Sequence, residues 1–568
     1  MPLDGAWNAY IFREGKLPVR GSELLNGLAN GLLLFGDASP ENKRTTLLDL
    51  LIRAGELEGA LHDAGSPHSP LIATITDSLA QALVFGKPIY AEELSLGARG
   101  INAPEQLTIT APEGFAYYSL HPLDFADLIS TIEPSSRFAA VIGIRSIGTT
   151  LSAVVQAALR GAGVNAQRTT VRPTGHPYDR VTHFTPEQLR WIAVMQSHRA
   201  DFFVVDEGPG MSGSSFLSVG DALLSAGVPR SRIAFLCSRD PYPPSMTARN
   251  AAERWPAYRS YCTRSTRHLP RGAETYVAGG IWRAHVYDDP ERWPASWLQM
   301  ERLKFFSAGG DHVYKFEGYG RFGKAVFDRS RLVAGAGFGP NPIRYEEGFG
   351  VYPRLHGRLL SKSDATPDVL QRVADYCAFR ARAMRFNGAV NVDLASMLCF
   401  NVKQEFGIDL PARSSELRVA HAVIADGRML PHKWIKSDGG LLKIDAAIHG
   451  DDHFFPGPTD IAWDLAGTIV EWELNLANCN LFVGLYCRAS GDDVRDRLPS
   501  YLLAYSIFRT AFCKMASASM EGSEEEARLV RDYYRYRTQA EGYVRRAVES
   551  SVISQTPLDE PSPELRIA

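Results

Sequence analysis

An acidic pair followed by a turn of small residues is the strongest chemical signal in this sequence. Residues 202–205, Phe-Phe-Val-Val, predict a buried parallel strand, and Asp206 and Glu207 follow at its carboxyl end. Residues 208–215 are rich in Gly and Ser and lead into a helix predicted over about 216–226. Open α/β sheets bind ligands beyond the carboxyl ends of their strands, and a helix start presents N–H groups to phosphate. The pattern favours a sugar phosphate whose ribose hydroxyls contact the two acids. The alternative is an ordinary strand–turn–helix corner with solvated acids.

This segment resembles the phosphoribosyl-diphosphate (PRPP) motif of class I phosphoribosyltransferases, which has an apolar strand, an acid pair, small residues and a final Ser or Thr. The resemblance covers about residues 110–245 and implies a parallel sheet with helices on both faces. It implies that Asp206 and Glu207 are catalytic and orient the ribose and its bound Mg²⁺ rather than attack it. The implied phosphate-binding residues of the turn are Ser212, Gly213, Ser214 and Ser215. The step from Glu207 to Gly213 is one residue longer than in common members of the family.

A second segment of that resemblance lies upstream. Residues 138–144 predict a strand, and the turn after it resembles the loop whose backbone N–H groups meet the leaving diphosphate. The implied diphosphate-binding residues are Arg145, Ser146 and Gly148.

Residues 171–180 resemble a third segment, the mobile loop that closes over PRPP and excludes water from the reactive carbon. Its basic residues are Arg172, His176 and Arg180, of which Arg172 and Arg180 are expected to be catalytic. The alternative is a surface loop rich in Pro and Gly with incidental charges.

The elements that must position these residues alternate between strands and helices, as a parallel sheet requires. The predicted strands are 138–144, 167–172, 202–205 and 233–237. The predicted helices are 150–161, 186–197 and 216–226, and earlier helical periods lie at 43–62 and 77–84.

Residues 300–515 carry a second resemblance, to the aminoglycoside phosphotransferase branch of the protein-kinase-like fold. The segment 460–466, Asp-Ile-Ala-Trp-Asp-Leu-Ala, is similar to that family's Asp-Pro-x-Tyr-Asp-Leu-Ala, in which the second acid, here Asp464, braces the active site. The strand at 312–316 resembles the one whose lysine, here Lys315, pairs with ATP phosphates. A later strand ends in Asp445 and resembles the strand that carries the Mg²⁺-binding aspartate.

The catalytic loop departs from that family. The family's His-Gly-Asp-x-x-Pro-x-Asn aligns with residues 426–433, so that Arg428 takes the place of the catalytic acid and Lys433 that of the metal-binding Asn. The helix after Lys315 offers Asp328 and no Glu as the partner of the lysine. Three interpretations stay open: an active kinase, a nucleotide-binding relic and a structural lobe.

Two other patterns permit more than one interpretation. Residues 449–453, His-Gly-Asp-Asp-His, could hold a transition metal, although solvated loop residues are the commoner outcome. The aromatic run at 533–536 could stack on nucleic-acid bases, but its helical spacing favours a packed helix face.

Composition narrows the class of protein. The 568 residues carry a formal net charge of −3, which gives no global attraction to nucleic acid or to an acidic membrane. The seven cysteines show no Cys-x-x-Cys spacing, as expected for reduced thiols without structural zinc. The N-terminus lacks the apolar segment of a signal peptide, and no stretch is apolar enough to span a membrane. We therefore expect a cytoplasmic protein with small-molecule substrates, and a homo-oligomer stays open.

The predicted fold class is α/β: a parallel sheet like that of class I phosphoribosyltransferases, with helices on both faces, followed by an α+β kinase-like domain. The predicted division is 1–110 (mixed α/β), 111–245 (phosphoribosyltransferase-like), 246–299 (linker or cap), 300–555 (kinase-like) and 556–568 (tail).

The two resemblances together predict a fused enzyme. The first half would be a phosphoribosyltransferase that moves ribosyl 5-phosphate from PRPP to a small-molecule acceptor, and the second would bind ATP with Mg²⁺ and phosphorylate a small molecule. The alternative is a regulatory protein of a bacterial stress or defence operon that senses PRPP or a nucleotide without turnover.

Overall fold

The computed structural model describes most of the chain. The described residues are 9–11, 16–36, 39–176, 178–210, 212–263, 268–388, 390, 394–410, 417–448, 450 and 454–553. Of the segment 449–453 that could hold a metal, only Gly450 lies among them, and the predicted tail 556–568 lies outside them.

A helical layer precedes the first large sheet. The strands β1 (Lys16–Arg20) and β2 (Gln106–Thr110) pair antiparallel. Between them in the chain lie the helices α1 (Gly21–Gly36), α2 (Pro40–Asp63), α3 (Ser69–Phe85) and α4 (Ala91–Arg99). The short helices α5 (Glu113–Ala116) and α6 (Pro122–Ile129) follow. The helical periods predicted at 43–62 and 77–84 lie within α2 and α3.

A five-stranded parallel sheet forms the centre of the first half. Its elements, with the hairpin β5–β6, are β3 (Phe138–Ile144), α7 (Ile147–Gly161), β4 (Asn165–Val171), β5 (Thr174–His176), β6 (Asp179–Val181), α8 (Pro186–Ser197), β7 (Asp201–Val205), α9 (Ser214–Ser225), β8 (Ile233–Cys237), α10 (Ala251–Arg254) and β9 (Arg259–Cys262). The strand order is β4-β3-β7-β8-β9, and all neighbours run parallel. The strands predicted at 138–144 and 233–237 and the helix predicted at 186–197 have the expected bounds.

Both faces of this sheet are covered, which explains why its strands are apolar without interruption. Successive side chains of a strand point to opposite faces. Phe203 and Val205 pack on the core shared with α2, α3 and α7, whereas Phe202 and Val204 pack on the core shared with α8 and α9. Helices therefore lie on both faces, as predicted.

The second half begins with an antiparallel sheet. Its order is β10-β11-β12-β14-β13, formed by β10 (Thr275–Tyr276), β11 (Lys304–Phe306), β12 (His312–Phe316), β13 (Arg344–Glu346) and β14 (Phe349–Pro353). The helix α11 (Gly320–Gly335) lies between β12 and β13 in the chain. The core of the first half continues into this sheet through Phe316 and Val351.

A helical lobe with short strands completes the chain. In order, its elements are β15 (Arg358–Leu359), α12 (Pro367–Ala383), α13 (Leu394–Phe406), β16 (Ala422–Val423), β17 (Trp434–Ser437), β18 (Gly440–Lys443), β19 (Thr459–Asp460), α14 (Ala462–Glu471), α15 (Leu476–Ser490), α16 (Leu498–Ala518) and α17 (Glu524–Ile553). Strands followed by long helices are the α+β arrangement predicted here. None of the helices in the described part of the chain is long and apolar enough to cross a bilayer.

The aromatic run at 533–536 lies on α17. Tyr536 is fully buried and donates its hydroxyl to Glu471 at 2.6 Å, and Tyr533 is 6% exposed. Tyr534 faces outward. The run is therefore a packed helix face, which was the favoured interpretation.

Candidate functional site

The first candidate site lies at the carboxyl edge of the parallel sheet. The chain passes from β3 to β4 on one side and returns to β7 on the other side of β3, so the strand order reverses between β3 and β7. Such a reversal leaves a crevice beyond the strand ends, where open α/β sheets bind ligands. Residues 145–148 follow β3, and residues 206–210 and 212–215 follow β7, so the two predicted turns border the same crevice.

Hydrogen bonds hold Asp206 and Glu207 at this edge. The Asp206 carboxylate accepts the backbone N–H of Glu207 at 2.9 Å, and the Glu207 carboxylate accepts the N–H of Gly114 at 2.8 Å. Burial raises the pKa of Asp206 to about 7 and the pKa of Glu207 to about 8. A bound cation or hydroxyl donor would offset this desolvation. Whether the acids bind ribose or Mg²⁺ stays a prediction.

The turn after the acids is shaped by Gly213. It precedes α9 with a φ of 66°, and a Cβ at this position would lie 2.7 Å from Met246 Sδ and 3.2 Å from the Trp255 ring. The glycine is thus required by the backbone conformation and by packing toward the core. The phosphate binding that the resemblance implies for Gly213 stays a prediction.

The serines of this turn bond partly to one another. Ser212 Oγ lies 3.0 Å from Ser214 Oγ and accepts the Ser214 N–H at 3.2 Å, while the backbone O of Ser215 accepts the Ser218 hydroxyl at 2.9 Å. Phosphate binding by these serines stays a prediction.

Close packing also accounts for the turn after β3. A Cβ on Gly148 would lie 2.6 Å from the backbone O of Val205, and one on Gly143 would lie 2.3 Å from the backbone O of Gly148. Ser146 has a φ of 110°, an uncommon backbone conformation for a residue with a side chain. The turn is therefore held tightly against the end of β7.

Arg145 and Arg172 meet at Asp63, the last residue of α2. Arg145 Nε lies 2.9 Å from one carboxylate oxygen of Asp63, and Arg172 Nη2 lies 2.5 Å from the other. Arg172 also donates to the backbone O of Arg145 at 2.7 Å. A ligand phosphate would have to compete with Asp63 for both arginines. Sequence reasoning missed Asp63, since no local pattern in α2 marks it as their partner.

The predicted mobile loop forms the hairpin β5–β6. Gly175 pairs with Arg180 in this hairpin, and Arg180 donates to the backbone O of Pro173 at 3.3 Å. Burial raises the pKa of Asp206, and the positive charges of Arg172 and Arg180 oppose that rise. Both arginines are therefore close enough to Asp206 for their charges to affect it.

The second candidate site is the cleft between the antiparallel sheet and the helical lobe. Lys315 lies on β12, opposite Lys304 on β11, and its ammonium donates to one carboxylate oxygen of Asp445. Lys433 donates to the other oxygen of the same carboxylate. Asp445 is thus held between two lysines, one from each lobe.

Strand pairing explains why Lys433 reaches Asp445. Trp434 on β17 is opposite Lys443 on β18, so the residues just outside this hairpin face each other. The N–H of Ile444 donates to the backbone O of Lys433 at 2.8 Å, which extends the pairing by one step. The sequence identified both residues but not their contact.

Burial makes the charges of this cleft costly. Desolvation lowers the pKa of Lys433 to about 8 and lowers the pKa of Lys315, and in both cases the charge of Asp445 opposes the shift. Lys315 is 7% exposed and Lys433 6% exposed. An anionic ligand would strengthen the charged state of both lysines.

The loop at 426–433 is held from behind by Asp464. Its carboxylate accepts the backbone N–H of Asp426 at 2.8 Å and that of Gly427 at 2.9 Å. Asp426 itself is fully buried and forms an ion pair with Lys443 at 3.1 Å. Arg428 lies over the Phe455 ring with its guanidinium carbon 5.3 Å from the centroid.

Helix α11 provides no acidic partner for Lys315. Asp328, the acid that the sequence offered, is exposed to solvent. The neighbouring Arg329 turns inward and donates to the backbone O of Ala447 at 3.0 Å. The partner of Lys315 is therefore Asp445, on the opposite lobe.

A cavity of about 340 Å³ opens beside these charges. Lys304, Lys315, Lys433 and Asp445 contribute to its lining. On one side it is bordered by residues 353–357, which lead from β14 to β15 and so from the antiparallel sheet to the helical lobe. Its volume lies in the range of ordinary small-ligand sites.

Part of the predicted linker covers this cavity. Trp282 and His285, between β10 and β11, contribute to its lining. Arg283 anchors this segment through a buried ion pair with Glu525 of α17 at 2.9 Å. We call residues 277–303 the cap, because they join the sheet lobe to the last helix over the cleft.

Helix α5 lies between the first site and the antiparallel sheet. The N–H of Gly114 bonds to Glu207 at the first site, and the backbone O of Phe115 accepts the N–H of Tyr319, just after β12, at 2.9 Å. One short helix therefore bonds to the first site and to the residues that follow β12.

The cleft does not fit Mg²⁺ in the arrangement predicted from the sequence. Mg²⁺ is bound by one or two carboxylates together with substrate phosphates. Both oxygens of Asp445 accept hydrogen bonds from lysine ammonium groups. Lys433 stands at the position where the aligned family has its metal-binding Asn. Among the described residues, no three His, Cys, Asp or Glu side chains are grouped closely enough to hold a metal ion.

The solved structures that are similar to this chain include kinases and phosphotransferases. No protein-family model matches the sequence, and no curated protein matches it. A choline/ethanolamine kinase family protein from Mesorhizobium loti is 17% identical over 47% of this chain and 98% of its own, with a TM-score of 0.32. The choline kinase LicA from Streptococcus pneumoniae is 14% identical over 43% and 90%, with a TM-score of 0.32. An aminoglycoside phosphotransferase from Alicyclobacillus acidocaldarius is 9% identical over 50% and 95%, with a TM-score of 0.31.

These comparisons contradict one prediction. The sequence predicted a phosphoribosyltransferase enzyme, but the similar solved structures are choline and ethanolamine kinases and other phosphotransferases. The parallel sheet and the acid pair are present, but a strand–turn–helix corner of this kind occurs on sheets with many different activities. The chain has a mixed α/β fold.

Proposed function

We propose that the kinase-like domain binds a nucleoside triphosphate in the cleft and transfers its terminal phosphoryl group to a small-molecule acceptor. The observation that carries this proposal is the pairing of Lys315 and Lys433 with Asp445, which joins the two lobes beside a ligand-sized cavity. ATP is the nucleotide expected from the sequence, and a solved structure of the similar LicA is described as a complex with AMP.

Charge supports the phosphate end of this proposal. Lys304, Lys315 and Lys433 all contribute to the cavity lining, and a lysine on the corresponding strand contacts nucleotide phosphates in kinases. Phosphoryl transfer depends mainly on positioning and on neutralising the charge of the phosphoryl group. Buried ammonium groups provide that charge without needing to reorganise.

Calorimetry with ATP tests the binding step. Lys315→Met should weaken ATP binding by at least about tenfold, because a charged contact to phosphate is lost. Lys324→Met, on the exposed face of α11, is the matched control and should bind ATP like the wild type. Absence of ATP binding by the wild type would overturn the proposal.

A second candidate function is nucleotide sensing without turnover. Arg428 stands at the aligned position of the catalytic acid, so no carboxylate at that position would accept the proton of an acceptor hydroxyl. ATP binding without ATP consumption across small alcohols and amines would favour sensing. Consumption that depends on one acceptor would favour the phosphotransferase.

The same second candidate extends to the sheet crevice, where PRPP would bind as a signal. Its support is that Asp206, Glu207 and the turns after β3 and β7 border one crevice. PRPP at 100 times its dissociation constant should stabilise the binding unit by about 2.7 kcal/mol. The double variant Asp206→Asn, Glu207→Gln should lose this stabilisation, whereas Glu187→Gln, exposed on α8, should retain it. An equal shift in both variants would exclude the acid pair from the site.

A cytoplasmic location, small-molecule partners and a homo-oligomer stay predictions from the sequence.

A further inference from the structure

We propose that the cleft binds the phosphates of its nucleotide without a divalent metal ion, with the Lys433 ammonium in the place of the cation. This inference rests on the proposed nucleotide binding and deepens it. It follows from the disagreement between the residues of this cleft and the Mg²⁺ site that the sequence implied.

The position of Lys433 is fixed by the fold. It directly precedes β17, and the backbone bond between its carbonyl and the N–H of Ile444, 2.8 Å, sets it opposite the residues after β18. Its side chain is nearly fully buried and its ammonium bonds to Asp445. Lys433 is therefore a built part of the cleft and not a mobile surface lysine.

A metal ion at Asp445 would have to displace both lysines. Lys315 occupies one carboxylate oxygen and Lys433 the other. Displacement would move two buried ammonium groups away from their carboxylate, and breaking buried ion pairs is costly. A cation would also repel both lysines at close range.

The described residues offer no second carboxylate to the cavity beside Asp445. Of the described residues that line the cavity, Asp445 alone is acidic. The nearby Glu317 accepts the hydroxyl of Tyr352, and Asp426 is paired with Lys443. Mg²⁺ depends on a near-ideal octahedral set of oxygens, and the described part of the chain contributes one carboxylate to this cavity.

The charge of the cavity already suits phosphate. Lys304, Lys315 and Lys433 together outweigh Asp445, so an excess of positive charge faces the cavity. A metal ion in a kinase neutralises phosphate charge and orients the phosphates. Buried lysines at fixed positions perform the first of these tasks directly.

The test measures ATP affinity by calorimetry on the full chain, once in excess EDTA and once in excess MgCl₂. We expect the two dissociation constants of the wild type to differ by less than about threefold. Lys433→Asn restores the amide that the aligned family carries at this position. It should weaken binding in EDTA by about tenfold or more, and MgCl₂ should recover part of that loss.

Lys436→Asn, exposed on β17 three residues further along, is the matched control and should show the wild-type pattern. Wild-type binding that requires MgCl₂ would overturn this inference and leave the proposed function intact. Equal affinities of Lys433→Asn and wild type in EDTA would also overturn it. No binding of ATP by the wild type under either condition would instead overturn the proposed function. If Lys433→Asn does not fold, the ATP affinities of the wild type in EDTA and in MgCl₂ still decide whether binding needs a divalent ion.

Discussion

The Asp464 carboxylate accepts the backbone N–H of Gly427 at 2.9 Å, across 37 residues of sequence. Its second oxygen accepts the N–H of Asp426 at 2.8 Å. One buried side chain on α14 therefore fixes the loop that leads to Lys433 and the cleft. The sequence predicted this bracing role for Asp464, and the geometry shows which two backbone groups it holds.

Asp464→Asn should destabilise the helical lobe. The amide can accept one of the two N–H groups, but its own N–H₂ would face the other donor, leaving it unsatisfied. Loss of a charge-assisted bond and an unpaired buried donor should together cost about 3 kcal/mol. Denaturant unfolding measures this change. Asp438→Asn, in the exposed turn between β17 and β18, should change stability by less than about 0.5 kcal/mol. Equal effects of the two variants would contradict the bracing role.

Gly213→Ala should destabilise the parallel-sheet half through both strain and crowding. The residue has a φ of 66° and the new Cβ would approach Met246 Sδ at 2.7 Å. Gly163 provides the matched control, since it has a φ of 82° but open space around its missing Cβ. Gly163→Ala should cost about 1 kcal/mol from backbone strain alone. Gly213→Ala should cost at least about 1 kcal/mol more in thermal or denaturant unfolding. Similar losses of stability in the two variants would show that Met246 and Trp255 move to accommodate the new Cβ.

Glu317→Gln should alter how stability depends on pH. Burial raises the pKa of Glu317 to about 7 from 4.5. Between these values the folded protein holds a proton that the unfolded chain releases, so this residue lowers stability as the pH rises through about 7. The neutral glutamine lacks this penalty.

The free energy of unfolding should therefore be similar for wild type and Glu317→Gln at pH 4.5. At pH 8 the variant should be more stable by up to about 3 kcal/mol. Glu346→Gln, on β13, is the matched control and should follow the wild-type pH dependence. A constant difference between Glu317→Gln and wild type over this pH range would exclude a raised pKa.

Arg283→Met should detach the cap from α17. Glu525 would then keep Arg528, whose Nη1 lies 3.2 Å away, but would lose the two bonds from Arg283, which should cost about 2–3 kcal/mol. Because Trp282 and His285 of the cap line the cavity, the ATP affinity of Arg283→Met should also fall. Arg292→Met, exposed within the same cap, should affect neither quantity. Calorimetry and denaturant unfolding measure the two effects, and unchanged ATP affinity in a destabilised Arg283→Met would show that the cap does not serve the cleft.

Local patterns were sufficient for several of the elements of secondary structure. The apolar run at 233–237 gave a strand with the predicted bounds, and the helix at 186–197 begins where Thr185 and Gln188 form a capping box. Helix α12 likewise begins at Pro367, with the Thr366 side chain as its cap. These features depend on residues within one or two turns, so the sequence contains them directly.

The contacts that form the two sites needed the tertiary structure. Arg145 and Arg172 meet Asp63, about a hundred residues away, and Lys315 meets Asp445 across the two lobes. The segment at 246–299 was predicted only as a linker or cap, but part of it covers the cleft through Arg283 and Glu525. Periodicity shows which face of an element is buried and says nothing of which distant element covers it. That choice is made by the packing of the whole chain, because a buried charge is stable only where the fold brings its partner within a few ångströms.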